Sequence, residues 1–299
     1  MNEAARVKPA KGPLVWLDMD QKELDDAYDQ LVYAPNRDQV HKRNMFNSDR
    51  VRARLGAPKR LAYGTKPVEQ LDLFATDKPN APTNVFIHGG AWRQRAAKDY
   101  AFMAECYVQA GAHWIALDFD GVEGTNGDLL PMADQVRRGV AWVYKNAKSF
   151  GGDPNRIHVS GQSSGAHLAG CVVTTDWNDY GVPGDVVKGA LLCSGMYELK
   201  PVRLSKRSDY VAFTDESEEK LSSQRRLDRL NCPVIVAYGT YETPEFQRQN
   251  REFAAAVKAA GKPVTLLVAE GYNHFEIAEA IANPLSQLGS AMLEQMKLV

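Results

Sequence analysis

Arg156-Ile157-His158-Val159-Ser160-Gly161-Gln162-Ser163-Ser164-Gly165-Ala166-His167-Leu168-Ala169-Gly170 is the stretch on which the reading of this chain turns. Ile157 to Ser160 is a short apolar run of the kind that forms a buried strand, and Ser164 to about Thr174 is small and apolar at helical length. The junction, Gly161 to Gly165, has the pattern G-x-S-x-G. In a strand-to-helix turn that tight the serine is held in a strained backbone conformation with its hydroxyl projected above the strand ends. Glycines flank it because side chains at those two positions would collide across the turn. The helix behind the serine aims free N–H groups and partial positive charge at any developing oxyanion. The pentapeptide alone also fits a plain Gly/Ser turn. A strand before it, a helix after it and matching partners elsewhere in the chain decide between the two.

The rest of the composition narrows the class. With 299 residues, 44% of them hydrophobic, the chain can fill the core of one large α/β domain. Its 36 Lys and Arg balance 37 Asp and Glu, so no polyanion-binding surface is indicated and no nucleic-acid partner is expected. No apolar run approaches the roughly 18 residues of a membrane span. The patch Leu14 to Leu17 is too short for a secretory segment, so no membrane partner and a cytoplasmic location are expected. Cys106, Cys171, Cys193 and Cys232 are scattered without metal-ligand spacing and read mainly as buried free thiols, so neither metal nor cofactor is expected.

Taken in order, residues 1–20 read as a loose N-terminal arm and 21–299 as a single domain. Residues 21–57 are helical in pattern but rich in charge. They carry too little apolar surface to fold alone and read as a cap or lid over the main domain. Residues 58–76 read as a hairpin, and Asn84 to His88 as a buried strand running into Gly89-Gly90-Ala91-Trp92. Helical and strand patterns then alternate to the C-terminus, broken by a polar stretch at 196–230 that reads as an insertion. This cadence predicts a mostly parallel central sheet covered by helices on both faces.

A serine hydroxyl becomes a nucleophile only with a base in hydrogen-bond reach, a group to orient that base, and donors for the oxyanion. When the serine sits on this kind of turn, the acid and then the histidine follow it in the chain, each on a loop at a strand's C-terminal end. Of the six histidines only His274, in Gly271-Tyr272-Asn273-His274-Phe275, follows the last strand pattern. His158 falls inside a strand, His113 opens one, His41 lies in the N-terminal segment, and His167 sits one helical turn past the serine. The loop Gly239 to Glu245 offers Glu242 as the acid, with Glu245 as the second choice at the start of a helix. Gly90 and Ala91, with Ser164, are the candidate oxyanion donors, and His88 reads as structural. Trp92, Tyr28 and the 120–130 loop are the candidate lining of a substrate pocket, although Trp92 is equally readable as core packing.

These residues, with Phe150-Gly-Gly-Asp-Pro-Asn-Arg-Ile157, Ser194-Gly-Met-Tyr-Glu-Leu-Lys-Pro-Val202, Gly239-Thr-Tyr-Glu-Thr-Pro-Glu-Phe246 and Asn273-His-Phe275, resemble the arylformamidase (kynurenine formamidase) branch of the esterase/lipase-type α/β-hydrolases. The resemblance spans about residues 22 to 290. It implies a serine hydrolase acting on a small-molecule ester or amide through an acyl-enzyme, with Ser163 as nucleophile, Glu242 as acid and His274 as base. Gln162 and Ser164 depart from the His and Ala frequent in that branch, and the 118–130 loop lacks its usual L-x-P run. A general short-chain carboxylesterase and a non-catalytic ligand-binding protein of the same fold remain as alternatives. Whether residues 21–57 form a mobile lid or a homodimer contact stays open.

Overall fold

The computed structural model describes residues 11–93 and 95–299. The part of the expected N-terminal arm at positions 1–10 lies outside the described residues. The remainder of that arm is not loose: β1 (Leu14–Trp16) and β2 (Met19–Asp20) pair antiparallel, and Val15, Trp16 and Met19 pack on the main core. Asp20 then caps α1 (Gln21–Ala27) through a reciprocal pair with Glu23. A 3-10 turn leads to α2 (Arg37–Leu55). The hairpin β3 (Lys59–Ala62) and β4 (Gln70–Phe74) follows, then β5 (Ala81–Ile87).

The segment from Ala97 to Ala110 begins as a 3-10 helix and tightens into α3 (Ala104–Ala110) before β6 (His113–Leu117). Next come α4 (Leu129–Asn146), β7 (Gly152–Gln162), α5 (Ser164–Val173) and β8 (Val187–Cys193). The stretch read as an irregular insertion contains α6 (Lys200–Leu204), α7 (Asp215–Leu221) and several 3-10 turns. It is also part of the core, since Tyr197, Leu199, Val202, Val211 and Leu221 are buried in it. The chain ends with β9 (Val234–Gly239), α8 (Pro244–Ala259), β10 (Val264–Ala269), α9 (Ile277–Ile281) and α10 (Gln287–Gln295).

Eight strands form one sheet in the order β10-β9-β8-β7-β5-β6-β4-β3. Pairings from β6 through β10 are parallel, and the hairpin β3–β4 adds an antiparallel edge. Period-2 alternation sorts the side chains between two cores. Val85, Ile87, Ile157, Val159, Leu192 and Val236 face one, with α4, α5 and α8. Phe86, Trp114, Leu191, Ile235 and Ala237 face the other, with α3, α9 and α10. The central strands read as near-continuous apolar runs because both of their faces are covered. Register brings the strand ends level: Ile87 lies beside Gly161, and Gln162 beside Cys193. The loops that carry chemistry therefore emerge side by side from one edge.

Five of the six histidines are buried, among them His158 on β7 and His167 on α5. Burial pushes each of these two down to about 4. The folded protein declines protons that the unfolded chain takes up below about 6.5, so this part of the stability is intact above that pH. It is lost as the pH falls from 6.5 to 4 and changes no further below that. The expected loss is on the order of 3 kcal/mol per ring. Urea unfolding should show a clearly lower midpoint at pH 4.5 than at pH 7; equal midpoints would refute the assignment.

Candidate active site

The turn between β7 and α5 puts Ser163 at φ 60° and ψ −128°, a conformation costly for any residue but glycine. Its backbone N–H donates to Cys193 O at 2.9 Å, which pins the turn to the end of β8. The two flanking glycines are sterically required for different reasons. A Cβ on Gly161 would meet Gly165 O at 2.4 Å, across the turn. A Cβ on Gly165 would meet Ile87 O at 2.1 Å, on the neighbouring strand.

Ser163 and His274 stand 2.7 Å apart, Oγ to Nε2. On its other side His274 Nδ1 lies 2.7 Å from Glu242 Oε2. With Nδ1–H donating to the carboxylate, Nε2 is left to accept from the serine hydroxyl. All three groups are buried. The second carboxylate oxygen of Glu242 accepts from Ser194 Oγ at 2.6 Å and from the Gly239 N–H at 2.7 Å. The Glu242 carboxylate is thus held through both of its oxygens. The rings of Phe246 and Phe275 stand edge-on to the imidazole at 4.9 and 5.4 Å. Glu245, the second-choice acid, is committed elsewhere: it accepts from Tyr28 Oη at 2.9 Å and pairs with Arg248.

Gly90, Ala91 and Trp92 all adopt positive φ, at 113°, 57° and 61°. Successive residues in this region turn backbone N–H groups to one side. Among the described residues no hydrogen bond occupies the N–H of Gly90, Ala91 or Ser164. The N–H of Trp92 is taken by Ser164 Oγ at 3.2 Å. The two departures from the common pattern therefore both act as ties. Ser164 fastens the Gly90–Trp92 turn to α5, and Gln162 Nε2 donates to His274 O at 2.8 Å, fastening the histidine loop.

A cavity of about 230 Å³ opens above Ser163, with Gly90, Ala91, Gln162 and His274 in its floor. Its walls include Tyr28 and Phe275, and its roof comes from the 21–57 segment: Gln30, Leu31, Arg37, His41, Asn44 and Met45. Tyr28 lines it as expected from the sequence, with its hydroxyl spent on Glu245 and Gln249. Trp92 and the 120–130 loop are not among the lining residues. The Trp92 side chain turns into the protein, where its indole N–H meets His167 Nδ1 at 3.2 Å and its ring lies edge-on to Phe213. The reason is its φ: the same backbone twist that exposes the preceding N–H groups swings this side chain to the opposite side. His88 is buried beside the turn, with Nδ1 bonded to Gly89 O and its ring stacked on Phe119 at 4.3 Å.

Sequence reasoning missed several contributors. Arg95 and Arg207 reach the cavity from segments far apart in the chain. Ser194 could have been found, because it follows β8 at the edge where the loops gather. Asn36 bridges the cap to the histidine loop, accepting from Asn273 at 2.8 Å and donating to Glu276 at 2.6 Å. All four cysteines are free and buried, and burial pushes Cys171 up to about 11. Among the described residues no cluster suited to a metal ion is present, and no helix is long and apolar enough to cross a membrane.

A mostly parallel sheet under helices, with a serine on a strained turn after a central strand, defines an α/β-hydrolase fold. The BD-FAE family model matches residues 71–189. Kynurenine formamidases of Danio rerio and Salmo salar are 28% and 29% identical to this chain, each over 94% of it and 98% of the relative. A crystal structure of a protein from Silicibacter sp., provisionally assigned as a thioesterase, superposes with a TM-score of 0.76 at 22% identity, covering 90% of this chain and 98% of that one. The chain has the α/β-hydrolase fold and is similar to kynurenine formamidases over nearly its whole length.

Proposed function

We propose that the protein is a serine hydrolase of small formamides or esters, aryl formamides foremost, working through an acyl-enzyme on Ser163. The observation that carries this is the unbroken line Ser163–His274–Glu242, two contacts of 2.7 Å each, beneath a roofed cavity. His274 takes the hydroxyl proton as Ser163 attacks the carbonyl carbon, and Glu242 holds the imidazole tautomer and offsets its charge. The N–H groups of Gly90, Ala91 and Ser164 receive the oxyanion. His274 then protonates the departing amine or alcohol, and water releases the acid by the same steps in reverse. The likeness to kynurenine formamidases over nearly the whole of both chains supports the formamide reading.

A fluorophosphonate should label Ser163 stoichiometrically, as read by intact mass and peptide mapping. Absence of labelling would favour a non-catalytic binding protein. Turnover of N-formylkynurenine against p-nitrophenyl acetate separates an arylformamidase from a general short-chain carboxylesterase: the formamide should have the higher kcat/KM.

The tie between Ser164 Oγ and Trp92 N–H gives a finer prediction. Ser164→Ala keeps the Ser164 backbone donor but frees the turn that holds the other two. The expected result is a fall in kcat of roughly tenfold with KM nearly unchanged, since the turn matters most when charge develops. An unchanged kcat on p-nitrophenyl acetate would show that the turn holds itself.

A further inference from the structure

The cap side of the cavity carries an unusual set of groups. Arg207 is only 9% exposed and lines the cavity, yet no carboxylate lies within 4 Å of it among the described residues. Its guanidinium donates to Tyr28 O at 2.9 Å and to Tyr210 Oη at 2.6 Å, both neutral acceptors. Arg95 enters from the loop beyond the Gly90–Trp92 turn. Its partner is the ring of His41, with Nη2 at 2.6 Å from Nδ1, and among the described residues no carboxylate lies within 4 Å of it either. Gln30 is 5% exposed and lines the same cavity, and both polar atoms of its amide lack a partner. A buried cation without a counter-ion and a buried amide without a bond each cost free energy that a bound ligand can recover.

The other charges around the cavity are already engaged. Asp29 is held by Lys206 at 2.7 Å, and Arg37 pairs with Asp38 at 2.8 Å. Asp99 accepts from the Ala96 N–H at 3.1 Å. Burial and the nearby Arg95 and Arg37 hold His41 down to about 4, so its ring adds no charge at neutral pH. Two guanidiniums without carboxylate partners, facing one engaged Asp99, leave room for one negative charge. A planar guanidinium suits a carboxylate better than any other group of that charge, because its forked donors match the two oxygens.

We infer that Arg207, Arg95 and Gln30 form an anion subsite at the cap side of the cavity, which binds a carboxylate carried by the substrate while its scissile bond lies at Ser163. The subsite rests on the hydrolase reading and narrows the substrate class to aryl esters and amides that carry one carboxylate. Arg207 and Arg95 are specificity residues in this scheme and take no part in bond making. The apolar side chains of Leu31, Met45 and Phe275 leave the aryl body a surface to lie on.

The test uses two esters of equal size, 3-(4-acetoxyphenyl)propanoate and its primary amide 3-(4-acetoxyphenyl)propanamide, on the whole chain. The wild type should favour the carboxylate by at least tenfold in kcat/KM, the difference lying in KM. In Arg207→Gln and in Arg95→Gln that ratio should fall toward one, and in Arg207→Lys it should be retained in large part. Because a ratio is read, any overall loss of activity in a variant cancels. If the buried Arg207 variants do not fold, the wild-type ratio and Arg95→Gln still decide. Turnover of both esters with a wild-type ratio near one overturns the subsite and leaves the hydrolase reading intact. A wild-type preference that survives both glutamine variants overturns the assignment to these arginines. Turnover of neither ester defeats the hydrolase reading, and the subsite with it.

Discussion

Replacing Ser163 by Ala is expected to lower kcat by about 10⁴-fold or more on an aryl formamide or ester, with the fold retained. The magnitude follows from the way the site is divided. Without the hydroxyl, Gly90, Ala91 and Ser164 can still receive an oxyanion, and His274 can still assist a water. What remains is the weak catalysis of donors and binding alone. The change is structurally mild, because Ala at φ 60° bears the same strain as Ser and one buried hydroxyl is removed. The melting temperature should move by only a few degrees. Turnover measured over hours with the wild type as reference, together with a thermal melt, checks both parts. A Ser163→Ala protein of undiminished activity would remove this serine from the mechanism altogether.

Gly165→Ala should act through the fold instead. The new Cβ would stand 2.1 Å from Ile87 O and 2.6 Å from both the carbonyl carbon and oxygen of His88. Those atoms belong to backbone at the end of a central strand and have no rotamer by which to yield. Either α5 lifts away from β5 or the turn opens, and both disrupt the packing of Ala166, Leu168 and Ala169 beneath it. We expect a loss of about 3 kcal/mol or more, enough to leave a large fraction of the protein unfolded or insoluble at 37 °C. Gly184→Ala is the matched control, since nothing lies within 4 Å of a Cβ there and its φ is not positive. That change should stay within about 0.5 kcal/mol. Urea unfolding of the two variants side by side reads the difference, and equal midpoints would show that the turn tolerates a side chain.

The central sheet was legible because its strands are buried on both faces and so read as apolar runs separated by helical patterns. The turn at Ser163 was legible because sterics leave only glycine on both sides of it. His274 and Glu242 could be located because chain order and strand ends restrict where partners arrive. The walls of the cavity were not legible for the opposite reason. Arg207 lies in a polar stretch that looks like solvent-facing loop, and only tertiary packing tucks its guanidinium against Tyr28 and Trp92. The α2 helix buries only Val40, Asn44, Ser48 and Val51, so its sequence resembles a solvated helix more than a roof. Trp92 is readable from residue type as either an aromatic wall or core packing, and three successive positive φ values, invisible in the sequence, turn the ring into the core.

Asn36 sits at the start of α2 and touches no reacting group, yet it joins the cap to Asn273, next to His274. The bridge makes the cap and the His274 loop one mechanical unit, with Arg43 and Glu279 as a second strut 2.7 Å long. A chain begun at residue 58 would keep all eight strands of the main sheet, with Ser163, Glu242 and His274. It would also leave Glu245 without Tyr28, open the cavity to bulk water and cut both struts behind the histidine. In a search for the smallest working version of this protein, residues 11–57 are therefore the wrong place to economise: they add no strand to the main sheet, and they hold His274 in place.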